Sequence, residues 1–439
     1  MSSMRVGLEI GDGVSAAAVD AHGRVVATAA LASGCDVERD VAAAVGALVG
    51  PDLAASAIGE VMLATPFATE AAHERTALAR VAVVRVGTPS TAIPPLGTWP
   101  APLRAAVSAG EAVVAGGREL DGTPSVALDL AAARGFLLAC GSVDAVAVSG
   151  VFSLVEPADE LRVAELAREL LGAVPVSLSH QLGALGLLAR ENVTVLNAAL
   201  TSVVSDVTDA LRAGLATVGV AARTHLVQGD GTLMTAEYAR HHPALTIGGP
   251  VASGVRGAGV LSGLDGALVC DAGAGETTIA RLTGGAPEAD SGALTVEGVV
   301  TNLRTPEVAD AHGTLAEQID SMKQSSADER LIVVGPHGPL VPGELPGVSE
   351  VVRPRHSAFA RAVGAATAPV GATAECVFAR TADPATRRAA ASAAATDRAV
   401  LAGADPGTVV VQEYEEVPFS YLPNLALSVR VSTVGRPLR

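Results

Sequence analysis

Lysine is nearly missing from this chain. Of 439 residues only Lys323 is one, in the polar run DSMKQSSADE. Without a GxxxxGK[ST] segment, the lysine-bearing phosphate loop of Walker-type NTPases is excluded. Schiff-base chemistry would rest on a single residue that reads as exposed. Cysteine is scarce too: Cys35, Cys140, Cys270 and Cys376 show no CxxC spacing, which speaks against a disulfide framework or a zinc knuckle. The nine histidines contain no HExxH or His-x-His pattern, so a metal site built on close histidines is unsupported. Basic side chains are outnumbered, 30 against 46 acidic ones, for a net charge of -16. That balance argues against a grip on nucleic acid or on an anionic membrane. Aromatic residues make up 2% and hydrophobic residues 49%, but Ala and Val carry the latter figure. The Ala-rich stretches are interrupted by Arg361, Arg387 and Arg388, well short of the ~20 apolar residues that span a bilayer. The opening MSSMRVGLEIG has no charged-then-apolar leader. A reduced, cytoplasmic setting is expected, with neither nucleic acid nor membrane as partner.

What is present is an alternation of strand-like and helix-like segments. MRVGLEI (4–10) meets the turn Gly11-Asp12-Gly13, resumes as VSAAAVD, turns at Asp20–Gly23 and returns as RVVATAAL. Further strands are expected near 81–86, 145–148, 174–179 and 225–228, with helices near 128–140 and 159–171, the latter stopped by Gly172. The run from 191 to 216 reads as one long helix. A second hairpin is expected at 267–282, then a helix–strand unit ending LIVVGPHG, an Ala-rich helix at 358–366, a helix at 385–403 and two closing strands. The pattern describes an α/β protein of at least two lobes.

Residues 9–15, Glu-Ile-Gly-Asp-Gly-Val-Ser, and 271–277, Asp-Ala-Gly-Ala-Gly-Glu-Thr, share the form acid-x-Gly-x-Gly-x-hydroxyl, 262 positions apart. Each follows an apolar strand and precedes another that ends at a glycine turn. A glycine turn lets backbone N–H groups converge on phosphate oxygens, and the hydroxyl adds a donor. A carboxylate at the end of the incoming strand can hold Mg²⁺ or orient a nucleophile. Taken singly, a Gly-x-Gly hairpin is more often just a turn; the shared flanks are what lift the pair. A dinucleotide fingerprint at 11–16 is rejected because strand and turn, not a helix, follow it. Paired hairpins of this kind are those used by the acetate-kinase, sugar-kinase, actin and heat-shock-chaperone superfamily.

The chain resembles the hydantoinase/oxoprolinase family, specifically its A-type, ATP-binding proteins. The resemblance rests on SGVFSLVEPADELRVAEL (149–166), on VPVSLSHQLGALGLLARENVTVLNAAL (174–200), on QGDGTLMTAEYAR (228–240) and on LTIGGP (245–250). The segments VVGPHGPLVPGELPGVSEVVRP and FARAVGAATAPVGA resemble the nucleoside-side loop and closing helix. It implies an α/β fold of two actin-like lobes: an N-terminal lobe over 1–188, a second over 189–380, and a helix-and-hairpin tail over 381–439. It further implies ATP and Mg²⁺ as cofactors and a small cyclic amide (hydantoin, lactam or 5-oxoproline type) as substrate. The family reading phosphorylates the amide oxygen, after which water attacks and nitrogen leaves. Glu9 and Asp271 would hold the metal and, with His180, carry catalysis. Gly11, Gly13, Ser15, Gly273, Gly275, Thr277 and Thr278 would meet the phosphates, with Gly248, Gly249, Gly335 and Gly338 also lining the nucleotide.

Several motifs depart from the family pattern. Asp12 and Glu276 put negative charge into loops that approach phosphate, and the last acid of each loop is gone. A carboxylate beside a triphosphate is repulsive unless a cation bridges them. The segment 64–71 lacks the family's histidine and asparagine, and Pro336 and His337 interrupt the nucleoside-side glycines. The alternative is therefore a catalytically degenerate actin-like scaffold or a regulatory partner subunit of such a hydrolase, and the macromolecular partner expected is another hydrolase subunit or a second copy of the chain in a homo-oligomer. A sugar or acid kinase ranks last for want of a sugar-specific constellation. Read residue by residue, His180 is more simply an interior hydrogen-bonded histidine, Asp230 a turn former and 159–168 a solvated helix face. Trp99, Tyr414 and Tyr421 read as packing residues.

Overall fold

The computed structural model describes residues 4–34, 36–51, 53–87, 92–273, 277–290, 292, 294–379, 382–419 and 426–438. Strands β1 (Met4–Ile10), β2 (Gly13–Val19) and β3 (Val25–Ala32) form the expected meander. The chain continues through α1 (Val37–Leu48), β4 (Ile58–Ala64), α2 (Phe67–Glu74), β5 (Val81–Val86), α3 (Ala101–Val107), β6 (Ser108–Val114) and α4 (Leu130–Ala139). Next come β7 (Ala145–Gly150), α5 (Ala158–Leu171), β8 (Val176–Leu178), α6 (Ser179–Leu182), α7 (Leu187–Ala199) and α8 (Thr201–Thr217). After β9 (Arg223–Val227), β10 (Leu233–Thr235), α9 (Ala236–His241) and α10 (Gly249–Ser262), a second meander is built from β11 (Gly266–Ala272), β12 (Thr277–Thr283) and β13 (Ala286–Pro287). The remainder is β14 (Leu294–Val296), β15 (Val299–Thr301), α11 (Leu315–Met322), β16 (Glu329–Val334), β17 (Val348–Val352), α12 (Ala360–Thr367), β18 (Val370–Ala379), α13 (Pro384–Leu401), β19 (Val410–Pro418) and β20 (Ala426–Gly435).

Two sheets repeat one plan. In the first, β3-β2-β1-β4-β9 are joined antiparallel, antiparallel, parallel, parallel. In the second, β13-β12-β11-β16-β17 are joined in the same order and sense. The 262-residue sequence repeat is thus a repeat of a five-stranded unit. The first sheet is extended past β9 by β10, β18, β20 and β19 to nine strands. Hydrogen bonding therefore crosses both 188/189 and 380/381, through β4–β9 and β18–β20. A separate sheet, β6-β5-β7-β8, is parallel throughout.

Period-two alternation decides what each meander faces. Val6, Leu8 and Ile10 of β1 pack with Val41 and Val45 of α1 and Leu211 and Leu215 of α8. Gly7 and, beside it on β2, Ala17 turn to the other face, against Ala362 and Val363 of α12. In the second sheet Val269 packs with Val255 and Ala258 of α10, while Leu268 and Cys270 meet Ile319 and Met322 of α11. Helices α10 and α12 thus lie between the two sheets and cross at backbone contact. A Cβ on Gly257 would sit 1.8 Å from the Ala360 carbonyl oxygen, and one on Gly364 would sit 1.8 Å from that of Ser253.

Two expectations change. The helix expected over 191–216 is two helices, with Leu200 leaving helical geometry at φ -92 and ψ 0. The bend lets α7 pack on β7 while α8 packs on α1, which are different layers. Lys323 is not exposed: only 7% of its side chain is accessible.

Candidate active site

Glu9 lies one residue from the end of β1, on the face shared with Gly7, and Asp271 holds the matching place on β11, on the face shared with Val269. The two faces converge on α12, where Arg361 reaches both carboxylates. Its Nε donates to Asp271 Oδ2 at 2.8 Å and its Nη1 to Glu9 Oε1 at 3.4 Å. Burial pushes the Glu9 carboxyl above its ordinary range, with Arg361 pulling it down and Asp271 pushing it up. Burial would lower the Arg361 value, but Asp271 and Glu9 beside it raise it. Ser15, opposite Glu9 in register, donates to Glu9 Oε2 at 3.4 Å.

Asp271 is closed in by glycines. A Cβ on Gly254 of α10 would stand 2.6 Å from Asp271 Oδ2. One on Gly335 would stand 2.7 Å from Oδ1 and 2.4 Å from the Ala272 carbonyl oxygen, at a φ of +86 that itself favours glycine. Asp271 Oδ1 is buried with no hydrogen-bond partner. The nucleoside-side segment meets the second loop here: His337 N donates to Ala272 O at 3.0 Å and its Nδ1 lies 2.7 Å from Gly273 O. Gly338 opens a short turn bonded back to Gly335.

The remaining candidates fall out as follows. A Cβ on Gly11 would meet the Pro66 ring at 3.4 Å, and one on Gly13 would have only the Leu31 carbonyl oxygen within reach, at 3.8 Å. Thr277 and Thr278 pair with Ala272 and Asp271 across the hairpin. Gly248 caps α10 and Gly249 begins it, about 8 Å of helix axis from Gly254; a Cβ on the first would stand 2.6 Å from the Thr305 side chain and one on the second 2.9 Å from the Val227 carbonyl oxygen. Gly275, like Glu276, Cys35 and Tyr421, lies outside the described residues. Among the described residues no group of three or more His, Cys, Asp or Glu side chains could hold a metal. Glu9 and Asp271, expected to hold Mg²⁺, are spanned by the Arg361 guanidinium instead, so the pair does not fit a divalent ion as it stands.

His180 is not in this group. Its Nδ1 donates to Glu160 Oε2 at 2.6 Å, and among the described residues it shares no hydrogen-bond partner with Glu9 or Asp271. Glu160 is fully buried and also accepts from Ser179 Oγ at 2.5 Å and from the Gly150 N–H at 2.7 Å. Burial alone would raise the Glu160 value; the hydrogen bonds from His180 and Ser179 outweigh it and hold the carboxyl below its ordinary range. An ionised Glu160 accepts from Nδ1 and so holds a His180 proton on that nitrogen. Arg190 completes the cluster, donating to Ser179 Oγ at 2.9 Å and to Gly150 O at 2.6 Å. The solvated face expected for 159–168 is therefore corrected at its start: Asp159 and Glu160 are buried. Glu160 precedes Val163 by three and Ala167 by seven, so the helical spacing that marks the apolar face also marks it.

Glu191 and Asn192 are internal braces. Arg85 clamps Glu191 through Nε at 2.6 Å and Nη2 at 2.5 Å, and Asn192 accepts from Trp99 Nε1 at 2.7 Å. Asp230 forms the expected turn, accepting from Thr232 N and Oγ1.

Because β1, β4 and β9 run parallel, the loops after them open on one edge of the sheet. β9 lies two strand spacings from β1, about 10 Å. Beyond β9 is a cavity of about 640 Å³ lined by Gln228, Asp230, Tyr238, Asn302, Arg304 and Arg398 among others. Both amide atoms of Asn302 are buried without a partner.

Fold and site define a mixed α/β protein of several sheets with two mirrored carboxylates meeting at one guanidinium. The hydantoinase/oxoprolinase N-terminal region matches residues 6–171 and the hydantoinase/oxoprolinase model matches 190–310; the chain belongs to the hydantoinase/oxoprolinase family. No curated protein matches it in sequence. Among solved structures it is similar to an ATP-dependent caprolactamase from Pseudomonas jessenii, with TM-score 0.75 and 16% identity over 99% of this chain and 88% of that one. It is also similar to a nucleotide-free acetone carboxylase described for ATP-dependent acetone carboxylation, with TM-score 0.67 and 14% identity over the same shares. At such identities the likeness is one of fold. No helix among the described residues is long and apolar enough to cross a membrane.

Proposed function

We propose that this chain is an ATP-dependent hydrolase of cyclic amides on a two-lobed, actin-like frame. One observation carries the reading: Glu9 and Asp271 occupy equivalent positions in two five-strand units of the same order and sense and converge on one guanidinium. The family and the fold shared with a caprolactamase support the reaction class. The phosphates would lie along the loops at Gly11–Ser15 and Gly273–Thr278, with Gly335 and Gly338 on the nucleoside side. The cavity beside Asp230 is of a size that suits a small ligand and is the candidate ring site.

Resonance makes a ring amide a poor electrophile. Attack of its oxygen on the γ-phosphorus releases ADP and leaves an O-phosphorylated ring. Water then adds at that carbon, the C–N bond opens, nitrogen takes a proton, and a second water releases phosphate. The chain's part is to position the reactants and to offset charge. Mg²⁺ is the cation the family implies for that charge, but the Glu9–Arg361–Asp271 arrangement does not supply its ligands, and no step is assigned to it.

A specific observation favours the second reading, a catalytically degenerate scaffold or partner subunit. Burial, Asp12 and then Glu74 all push the Glu70 carboxyl up, so Asp12 of the first loop has a like-charged neighbour on α2. The test is ADP release by the purified chain with ATP and 5-oxoproline, hydantoin or caprolactam, beside calorimetry of ATP with the wild type and Gly273→Asp. Ring-dependent ADP release, and micromolar binding abolished by Gly273→Asp, support the hydrolase. Absence of binding at millimolar ATP leaves the scaffold.

A further inference from the structure

Arg361 reads in the sequence as an interruption of an alanine-rich stretch, yet among the described residues it is the one cation that touches both mirrored carboxylates. We infer that Arg361 is the fixed cation of the cleft, standing between Glu9 and Asp271 where a divalent ion would otherwise neutralise them, and presenting its spare N–H groups to the nucleotide phosphates. The phosphate-facing half of this inference rests on the proposed nucleotide cleft; the cation-replacing half does not.

A guanidinium is always charged and carries five N–H donors in a rigid fork. One on Nε goes to Asp271 and one on Nη1 to Glu9, leaving three without an acceptor among the described residues. Its side chain keeps 29% of its surface, while those of Glu9 and Asp271 keep 15% and 5%. The cation is thus the most open member of the trio. The geometry is held from behind: Arg361 lies one turn before Gly364, which touches the α10 backbone, and Gly254 of α10 fits against Asp271. A flexible surface arginine would have no such support.

A Lewis-acidic metal and a guanidinium both neutralise carboxylates, but only the guanidinium is covalently part of the chain and indifferent to chelators. The wild type should therefore bind no Mn²⁺ at this pair, and its affinity for ATP should change less than about threefold between excess Mg²⁺ and excess EDTA. Arg361→Gln frees both carboxylates. It should create a Mn²⁺ site, lost again on adding Glu9→Gln, and weaken ATP binding in EDTA by tenfold or more. Arg361→Lys, which restores one positive charge, should abolish the new Mn²⁺ site and recover part of the metal-free ATP affinity; a merely structural role would not move metal dependence in this way.

The experiment is titration of Mn²⁺ alone, followed by electron paramagnetic resonance of the free ion, with calorimetry of ATP run in parallel and circular dichroism to check that each variant folds. Two results overturn the inference: Mn²⁺ binding to the wild type that Glu9→Gln removes, or no Mn²⁺ site in a folded Arg361→Gln protein. Should ATP bind no variant, the nucleotide reading fails, and the phosphate-facing role with it. The Mn²⁺ titration still decides whether Arg361 takes the cation's place, and if Arg361→Gln does not fold, the wild type against Glu9→Gln decides it alone.

Discussion

Gly364→Ala is the sharpest test of how the site is held together. The added methyl would lie 1.8 Å from the Ser253 carbonyl oxygen, 2.7 Å from its carbon and 2.9 Å from the Gly257 nitrogen. All three are backbone atoms of α10, so no side chain can swing away. Restoring van der Waals distance requires the helices to part by roughly 1.5 Å. The crossing resists, because Gly257 makes the reciprocal contact with Ala360 and Gly7 the matching one with Ala362. We expect a loss at the upper end of the overpacking range, about 3 kcal/mol, or on the order of a hundredfold in the folded-to-unfolded ratio. Urea unfolding followed by circular dichroism reads this directly. Gly135→Ala supplies the opposite sign: it sits inside α4 with open space around it, and alanine there should stabilise by about 0.4–1 kcal/mol. If Gly364→Ala lies within about 0.5 kcal/mol of the wild type while Gly135→Ala shows its gain, the reading of the crossing as closed backbone packing is wrong.

Other outcomes follow from the buried charges. Glu191→Gln leaves the fully buried Arg85 guanidinium without its counter-charge and should cost about 3–5 kcal/mol, much of it recovered by adding Arg85→Met; urea midpoints of the single and double variants measure both. Burial pushes His225 and His242 down to about 4, with cationic neighbours adding to it. Both then take up protons in the unfolded chain before the folded one. Stability should accordingly fall as pH drops from about 6.5 towards 4, by up to about 3 kcal/mol for each histidine. His242→Phe keeps the stack on Tyr238, whose centroid lies 4.0 Å away, and should flatten that slope in urea midpoints taken across this window. The hydrogen bonds that outweigh burial and depress Glu160 make a further contribution that is present above its ordinary value near 4.5 and lost as pH falls through its folded value. Glu160→Gln should lower stability at neutral pH and remove that part of the acid loss, which pH-resolved urea unfolding would show.

Local pattern was enough for the elements themselves. Glycine turns between apolar strands placed both meanders, and spacing placed α5 and α13, because each depends on neighbours within a few residues. The same sequence repeat named Glu9 and Asp271. It could not show that they meet, since that depends on two sheets folding against one helix pair. Nor could it mark Gly257 and Gly364 among 47 glycines, as a close approach exists only once both helices are in place. Arg361 read as an interruption in an alanine-rich stretch because its partners lie 90 and 352 residues away. Glu160 looked solvated because a carboxylate on a helix ordinarily is, and only the hydrogen bonds from Ser179, His180 and Gly150 offset the cost of burying it. Sequence alone determined the strands, the helices and the doubled motif, which short-range sterics and periodicity set. Tertiary structure decided which charges lie together, because desolvation and pairing depend on neighbours that the chain brings from far along its length.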